Sequence, residues 1–121
     1  MVNPIVVKAL ICAYAIKNHA KPAYVAAVAH IESRFGEMEF RTWKTGKYYQ
    51  PMGIEQGYLY ERGWPVDTLD GNIDAGSRAF AGIDNLDALK RRLRKYNCSF
   101  NAGYWSEVKK AVAKYEKEFS L

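Results

Sequence analysis

In the stretch "VAAVAHIESRFG", residues 25–36, a carboxylate occupies a position whose neighbours are apolar. At helical spacing Val25, Val28, Ala29, Glu32 and Phe35 share one stripe, while Ser33 and Arg34 turn partly away. A carboxyl on such a stripe is partly desolvated. Gly36 reads as the residue that stops the helix, which sets Glu32 near the negative end of the helix dipole. Both effects disfavour the charged form, and a carboxyl that keeps its proton is what general acid catalysis needs. The competing reading of the same stretch is a solvated glutamate at the stripe's edge, or one paired with Arg34. His19 and His30 lack partners at metal-binding spacing and read as ordinary helix residues. Cys12 and Cys98 have no second ligand nearby and read as reduced thiols, so no metal and no cofactor is expected.

The elements that must position Glu32 can be outlined from caps and periodicity. Asn3 followed by Pro4 reads as an N-cap and first helical residue, opening a helix to about Asn18. Pro22 opens the helix that carries Glu32. The period then changes: "EMEFRTW", "KTGK" and "YYQPMGI" alternate loosely around a glycine-containing turn, which suggests a short hairpin or an ordered loop. Helical spacing returns with Ile73, Gly76, Phe80 and Ile83 on one face, and then with Leu86, Leu89, Leu93 and Tyr96 on another. Lys90, Arg91, Arg92, Arg94 and Lys95 lie opposite that second face. A last helix aligns Tyr104, Val108, Ala111, Val112, Tyr115 and Phe119. The expected fold class is therefore mostly α, a single helical domain over residues 1–121 with one short β-hairpin or ordered loop insertion.

The composition supports a real core, with 49% hydrophobic residues in 121. Eighteen Lys and Arg against thirteen Asp and Glu leave a net charge of +5, which suits an anionic partner such as wall polymer, nucleic acid or a lipid surface. Nine Tyr and three Trp supply flat faces on which sugars or bases stack, and from which cores are also built. The first twenty residues are apolar but interrupted by Lys8 and Lys17, with no basic leader and no small-residue cleavage site. They read neither as a signal peptide nor as a membrane span, so no stable membrane insertion is expected. A monomer is expected.

Four separated segments then fall into a known order: "HIESRF" at 30–35, "MGIEQ" at 52–56, "GNIDAGSRAF" at 71–80 and "KYNCSFNAGYWSEV" at 95–108. Together they resemble the lysozyme-like lytic transglycosylases, the soluble type that is also similar to goose-type lysozyme. That family carries an ES dipeptide ending a helix, a GLMQ turn, an NIxxG helix start, and a YN dipeptide followed by a Tyr and a Val. The resemblance spans residues 22–112 and implies a lysozyme-like α+β fold. It makes Glu32 the single catalytic acid and base, and Ser33 a neighbour that orders the acetamido sugar. Gly53, Ile54 and Gln56 would be the glycan-contacting turn, and Asn72, Ile73 and Gly76 the helix backing the site. Tyr96 would bond the catalytic carboxyl, and Asn97 the sugar.

The resemblance implies cleavage of the β-1,4 bond between N-acetylmuramic acid and N-acetylglucosamine in peptidoglycan strands, giving 1,6-anhydro products. Nucleic acid is not a partner on this reading. Two departures stand out: Glu55 replaces the family's usual Met, and the segment between Glu32 and Gly53 is longer, with Trp43, Tyr48 and Tyr49 in it. An acid at 55 would suit a hydrolytic muramidase, with Glu55, Glu37 or Glu39 positioning water. A second alternative is a non-catalytic helical domain that binds wall polymer or nucleic acid through its basic surface. Without an export signal, the expected routes to the wall are a phage lysin, a virion-carried enzyme, or a domain cut from an exported protein.

Overall fold

The computed structural model describes residues 3–33, 40–43, 46–49, 68–96 and 100–119, and at 32, 33, 40–43, 46–49 and 96 it describes the backbone. Helix α1 covers Pro4–Lys17. As the sequence suggests, Asn3 is extended and its side chain accepts the Ile5 N–H at 2.9 Å, with Pro4 in the first turn, where an amide hydrogen is not needed. α2 is Pro22–Ser33, α3 Leu69–Arg78, α4 Leu86–Tyr96 and α5 Ala102–Phe119. Three of these also start on a side-chain cap. Thr68 accepts from Gly71 at 3.0 Å, Asn85 from Ala88 at 2.9 Å, and Asn101 from Tyr104 at 2.8 Å. Between α2 and α3, strands β1 (Phe40–Trp43) and β2 (Gly46–Tyr49) pair antiparallel, with Phe40 opposite Tyr49 and Trp43 opposite Gly46. The described residues are thus mostly helical.

α2 is the central element and packs on both α1 and α5, while α1 also packs on α3. From Ala23 to Ala29 no residue of α2 is more than 7% exposed. Four of those seven are alanines, whose small side chains let neighbouring helices approach closely. The stripe read from the sequence is therefore only part of a helix that is apolar all round and buried all round. α5 covers it with Trp105, Val108, Ala111, Val112 and Tyr115. Of the aromatic pair that opens α5, Trp105 is the buried member and Tyr104 is half-buried.

Polar bonds fix the register of α1 on α3. The Tyr14 hydroxyl donates to Asp70 at 2.9 Å, and one turn on the Asn18 amide donates to Asp74 at 2.7 Å. Asp74 also pairs with Arg78 at 2.8 Å and Lys17 at 3.5 Å. Positions four apart on both helices therefore meet in successive turns. At the other end of α1, Lys8 meets Glu118 of α5 at 3.1 Å.

Two expectations change at turns. Ile73, Gly76, Phe80 and Ile83 are all buried, yet the helix ends at Arg78 and the last two sit in the turns that follow, where Gly82 has φ of +75°. His19 is not a helix residue. It has φ of +58°, and the chain closes α1 with the Ala20 N–H on the Ala15 carbonyl at 2.8 Å and the His19 N–H on Ile16 at 3.3 Å. This is the Schellman pattern, usually built on glycine. Only three residues separate Asn18 from Pro22, so one of them must take the left-handed conformation, and none is glycine. The His19 carbonyl in turn accepts the Gly82 N–H at 2.9 Å, joining the two turns.

His19 is exposed, so its ring contributes little packing. The left-handed conformation costs a non-glycine residue about 1–2 kcal/mol, and glycine gives back about 0.5–1 kcal/mol through its freer unfolded chain. His19→Gly should therefore stabilise the protein by roughly 0.5–1 kcal/mol. Urea denaturation checks this, and a lower midpoint for the variant would refute it.

Candidate functional site

Glu32 and Ser33 form the end of α2, where the helix leaves the core. Val28 and Ala29 are fully buried, whereas His30 and Ile31 are half-buried. This last turn is fastened to α5 by a hydrogen bond of 2.6 Å between His30 Nδ1 and the Tyr115 hydroxyl, their rings 5.7 Å apart and tilted. Tyr115 is buried at 1% exposure and packs against Phe119, with Lys8 and Lys114 near its ring face. Burial first, and then the Glu118 carboxylate, push its phenol up to about 12. The hydroxyl therefore keeps its proton at any physiological pH. It donates to a bare Nδ1, or accepts from that nitrogen once the imidazole is charged.

Beside this turn lies an open groove of about 340 Å³, lined by His30 and Ile31 from α2 and by Glu107, Lys110, Ala111 and Lys114 from α5. Ile31 immediately precedes Glu32, so the groove adjoins the backbone that carries the candidate acid. The lining mixes one acid, two lysines and a half-buried imidazole on an apolar floor. Such a surface can take a polar chain with both hydroxyl and anionic groups.

The remaining expected site residues divide sharply. Asn72, Ile73 and Gly76 are buried in α3, which packs on α1, as α2 does. Thr68 caps their helix, and the Ser77 hydroxyl bonds back to the Ile73 carbonyl at 2.8 Å. Tyr96 is the last residue of α4, whose Leu89 and Leu93 are fully buried while Leu86 is 39% exposed. The expected bond between Tyr96 and Glu32 involves side chains outside the described set. Gly53, Ile54, Glu55, Gln56 and Asn97 lie outside the described residues, as do Gly36, Glu37, Glu39 and Cys98. Trp43, Tyr48 and Tyr49 belong to the paired strands. Cys12 is a half-buried free thiol, raised by burial and by Glu118. Among the described residues no three His, Cys, Asp or Glu side chains gather to hold a metal, and no helix is long and apolar enough to cross a membrane.

Helical spacing gives no sign of the pairing of His30 with Tyr115. Tyr115 was visible as one more apolar stripe position and His30 as a helix residue, but nothing in one dimension joins two residues 85 apart. No protein family, curated protein or solved structure matches this chain.

Tyr115→Phe keeps the ring and removes the hydroxyl, so it tests the fastening directly. A net loss of about 0.5–1.5 kcal/mol is expected at neutral pH, the ordinary range for one hydrogen bond. The folded phenol titrates at about 12 against an ordinary 10.0. Stability from the retained proton is thus complete below pH 10 and is lost as pH climbs from there through 12. Wild-type stability should fall more steeply than that of Tyr115→Phe across this window. Parallel slopes in pH-resolved urea denaturation would show that Tyr115 does not control it.

Proposed function

We propose that this chain is a peptidoglycan lytic transglycosylase with a lysozyme-like fold, cleaving the β-1,4 bond between N-acetylmuramic acid and N-acetylglucosamine. The observation that carries the reading is the position of Glu32, in the last turn of a core helix where full burial gives way to an open groove. A helix packed on two sides is a rigid mount for a group that must hold its place through two proton transfers. The ordered motifs at 30–35, 52–56, 71–80 and 95–108 supply the chemistry's remaining parts.

In this mechanism the Glu32 carboxyl first gives its proton to the leaving glycosidic oxygen as the bond to the muramoyl C1 breaks. The resulting carboxylate then takes the proton from the muramoyl C6 hydroxyl while that oxygen bonds to C1. Water is not consumed, and Glu32 ends protonated, ready for the next cycle. Because the attacking group belongs to the substrate, a second carboxylate is not required. The substrate's acetamido oxygen can stabilise the cationic centre, outside the usual pairing of two carboxylates. Ser33, Gln56 and Asn97 would order the sugar, and Tyr96 would orient the acid.

A hydrolytic muramidase is the second reading, and Glu55 within the turn motif is the residue that favours it. Mass spectrometry of muropeptides from digested sacculi separates the two, since hydrolysis adds water to each product and transglycosylation does not. Glu32→Gln keeps the size of the side chain but cannot deliver a proton, so lysis should fall by at least about 10²- to 10⁴-fold while the fold persists. A variant retaining about a tenth of the wild-type rate would remove Glu32 from the mechanism. Glu55→Gln should leave both the rate and the anhydro fraction nearly unchanged. A shift of products toward the anhydro form in that variant would make Glu55 a water-activating base.

A further inference from the structure

The charge of this protein is concentrated on one helix. α4 carries Lys90, Arg91, Arg92, Arg94 and Lys95 against Asp87, a net of +4, where the whole chain has +5. The other 110 residues are therefore close to neutral. None of the five cations forms an ion pair with a described acidic residue. Leu89 and Leu93 anchor the opposite side of α4 with no exposed surface, so the helix cannot roll or turn an apolar face outward. Arg91, Arg92, Arg94 and Lys95 are exposed. Two of the cations are also oriented by aromatic rings of the following segment: Arg94 lies 5.6 Å from the Phe100 centroid, and Lys90 lies 5.9 Å from that of Trp105. The surface is concave, a groove of about 420 Å³ between the α3–α4 turn and α4, lined by Ile83, Ala88, Arg91, Arg92, Arg94 and Lys95.

We propose that this groove binds a linear phosphodiester polymer attached to the cell wall, holding the enzyme on its substrate through α4 rather than through the helix that carries Glu32. The choice of a wall-borne polymer rests on the function proposed above; the choice of phosphate rests on the residues. Three of the five cations are arginines, whose planar forks bind oxyanions two oxygens at a time, and a phosphodiester backbone presents such a pair at every repeat with a charge that persists at acid pH, where a carboxylate is lost. A groove lined by one sign of charge focuses the field along a single thread. Other polyanions fit less well. Single-stranded nucleic acid needs exposed rings on which bases stack, but Trp105 beside the groove is 9% exposed and Phe100 is half-buried with Arg94 already 5.6 Å from its centroid. A helix-turn-helix recognition helix presents its N-terminal residues to the duplex, and here that end holds exposed Asp87, with exposed Asp84 just before it. A bilayer would need a set of apolar side chains to insert, and α4 offers one exposed leucine, Leu86, while Leu89 and Leu93 are buried.

The test is equilibrium binding of the whole chain to fluorescent poly(glycerol phosphate), with poly-glutamate and a short DNA duplex of matched charge as controls, over a range of salt. Poly(glycerol phosphate) should bind at least about tenfold more tightly than either control, with log affinity falling linearly in log salt. Arg91→Gln with Arg92→Gln, both at exposed positions, should weaken binding at least tenfold and lower the salt slope by about 1.5, with an unchanged circular dichroism spectrum. Arg91→Lys with Arg92→Lys should keep the slope, because the charge is kept, but weaken binding several-fold, because the paired contacts are lost; wild-type affinity in that variant would show that the arginine forks do not hold the polymer. Equal or tighter binding to DNA, or wild-type binding by the glutamine variant, would overturn the proposal. Binding is read without turnover, so a chain that binds the polymer yet releases no muropeptides supports this surface while refuting the glycan-cleaving reading.

Discussion

The structure depends on the burial of α2 from every side. Seven consecutive residues, Ala23–Ala29, have almost no contact with water, so every neighbouring helix must supply an apolar face to them. Close packing follows from the alanines: a larger side chain at Ala26 or Ala27, both fully buried, would push against neighbours with no room to yield, at a cost of about 1–3 kcal/mol. α5 meets this demand along one side with its stripe from Trp105 to Tyr115, and α1 meets it along another with Val7, Ile11 and Ala15. Once these contacts form, the end of α2 has a single place to emerge. That place is the turn carrying His30, Ile31, Glu32 and Ser33.

Polar bonds serve this packing by fixing registers rather than by supplying the main attraction. Asp70 and Asp74 take Tyr14 and Asn18 in successive turns, and a slip of α1 along α3 would break both bonds together. The left-handed His19 allows α1 to reverse into α2 within three residues, and its carbonyl ties that reversal to the turn around Gly82. The bond between His30 and Tyr115 acts at the far end of α2 in the same way, because a helix end that leaves the core loses the packing that would otherwise hold it still. Under the proposed function, that stiffness would hold Glu32 in place through both proton transfers.

Charge is arranged independently of the core. The apolar side of α4 belongs to the same buried cluster as α2, but its outer side carries most of the net charge of the chain. Under the function proposed for this protein, a binding surface on α4 and an acid on α2 would divide the work between retention on the wall and bond cleavage.

Caps and periodicity along the chain were enough to locate the helices and most of the faces they bury. Asn3 and Pro4 marked the start of α1, and the spacings of Leu89 with Leu93 and of Val108 with Val112 and Tyr115 identified sides that the structure buries completely or nearly so. These features are local: a cap needs a side chain within three residues, and a stripe needs only the helical period. The position of Glu32 in the last turn of α2 was legible for the same reason. That α2 is buried beyond its single stripe follows from the docking of α1 and α5 against it, which its own spacing cannot specify. Tertiary structure alone decided that His19 turns left-handed, since the need arises from docking two helices joined by a short link. It alone joined His30 to Tyr115, two side chains with no relation along the chain until α5 folds back over the end of α2.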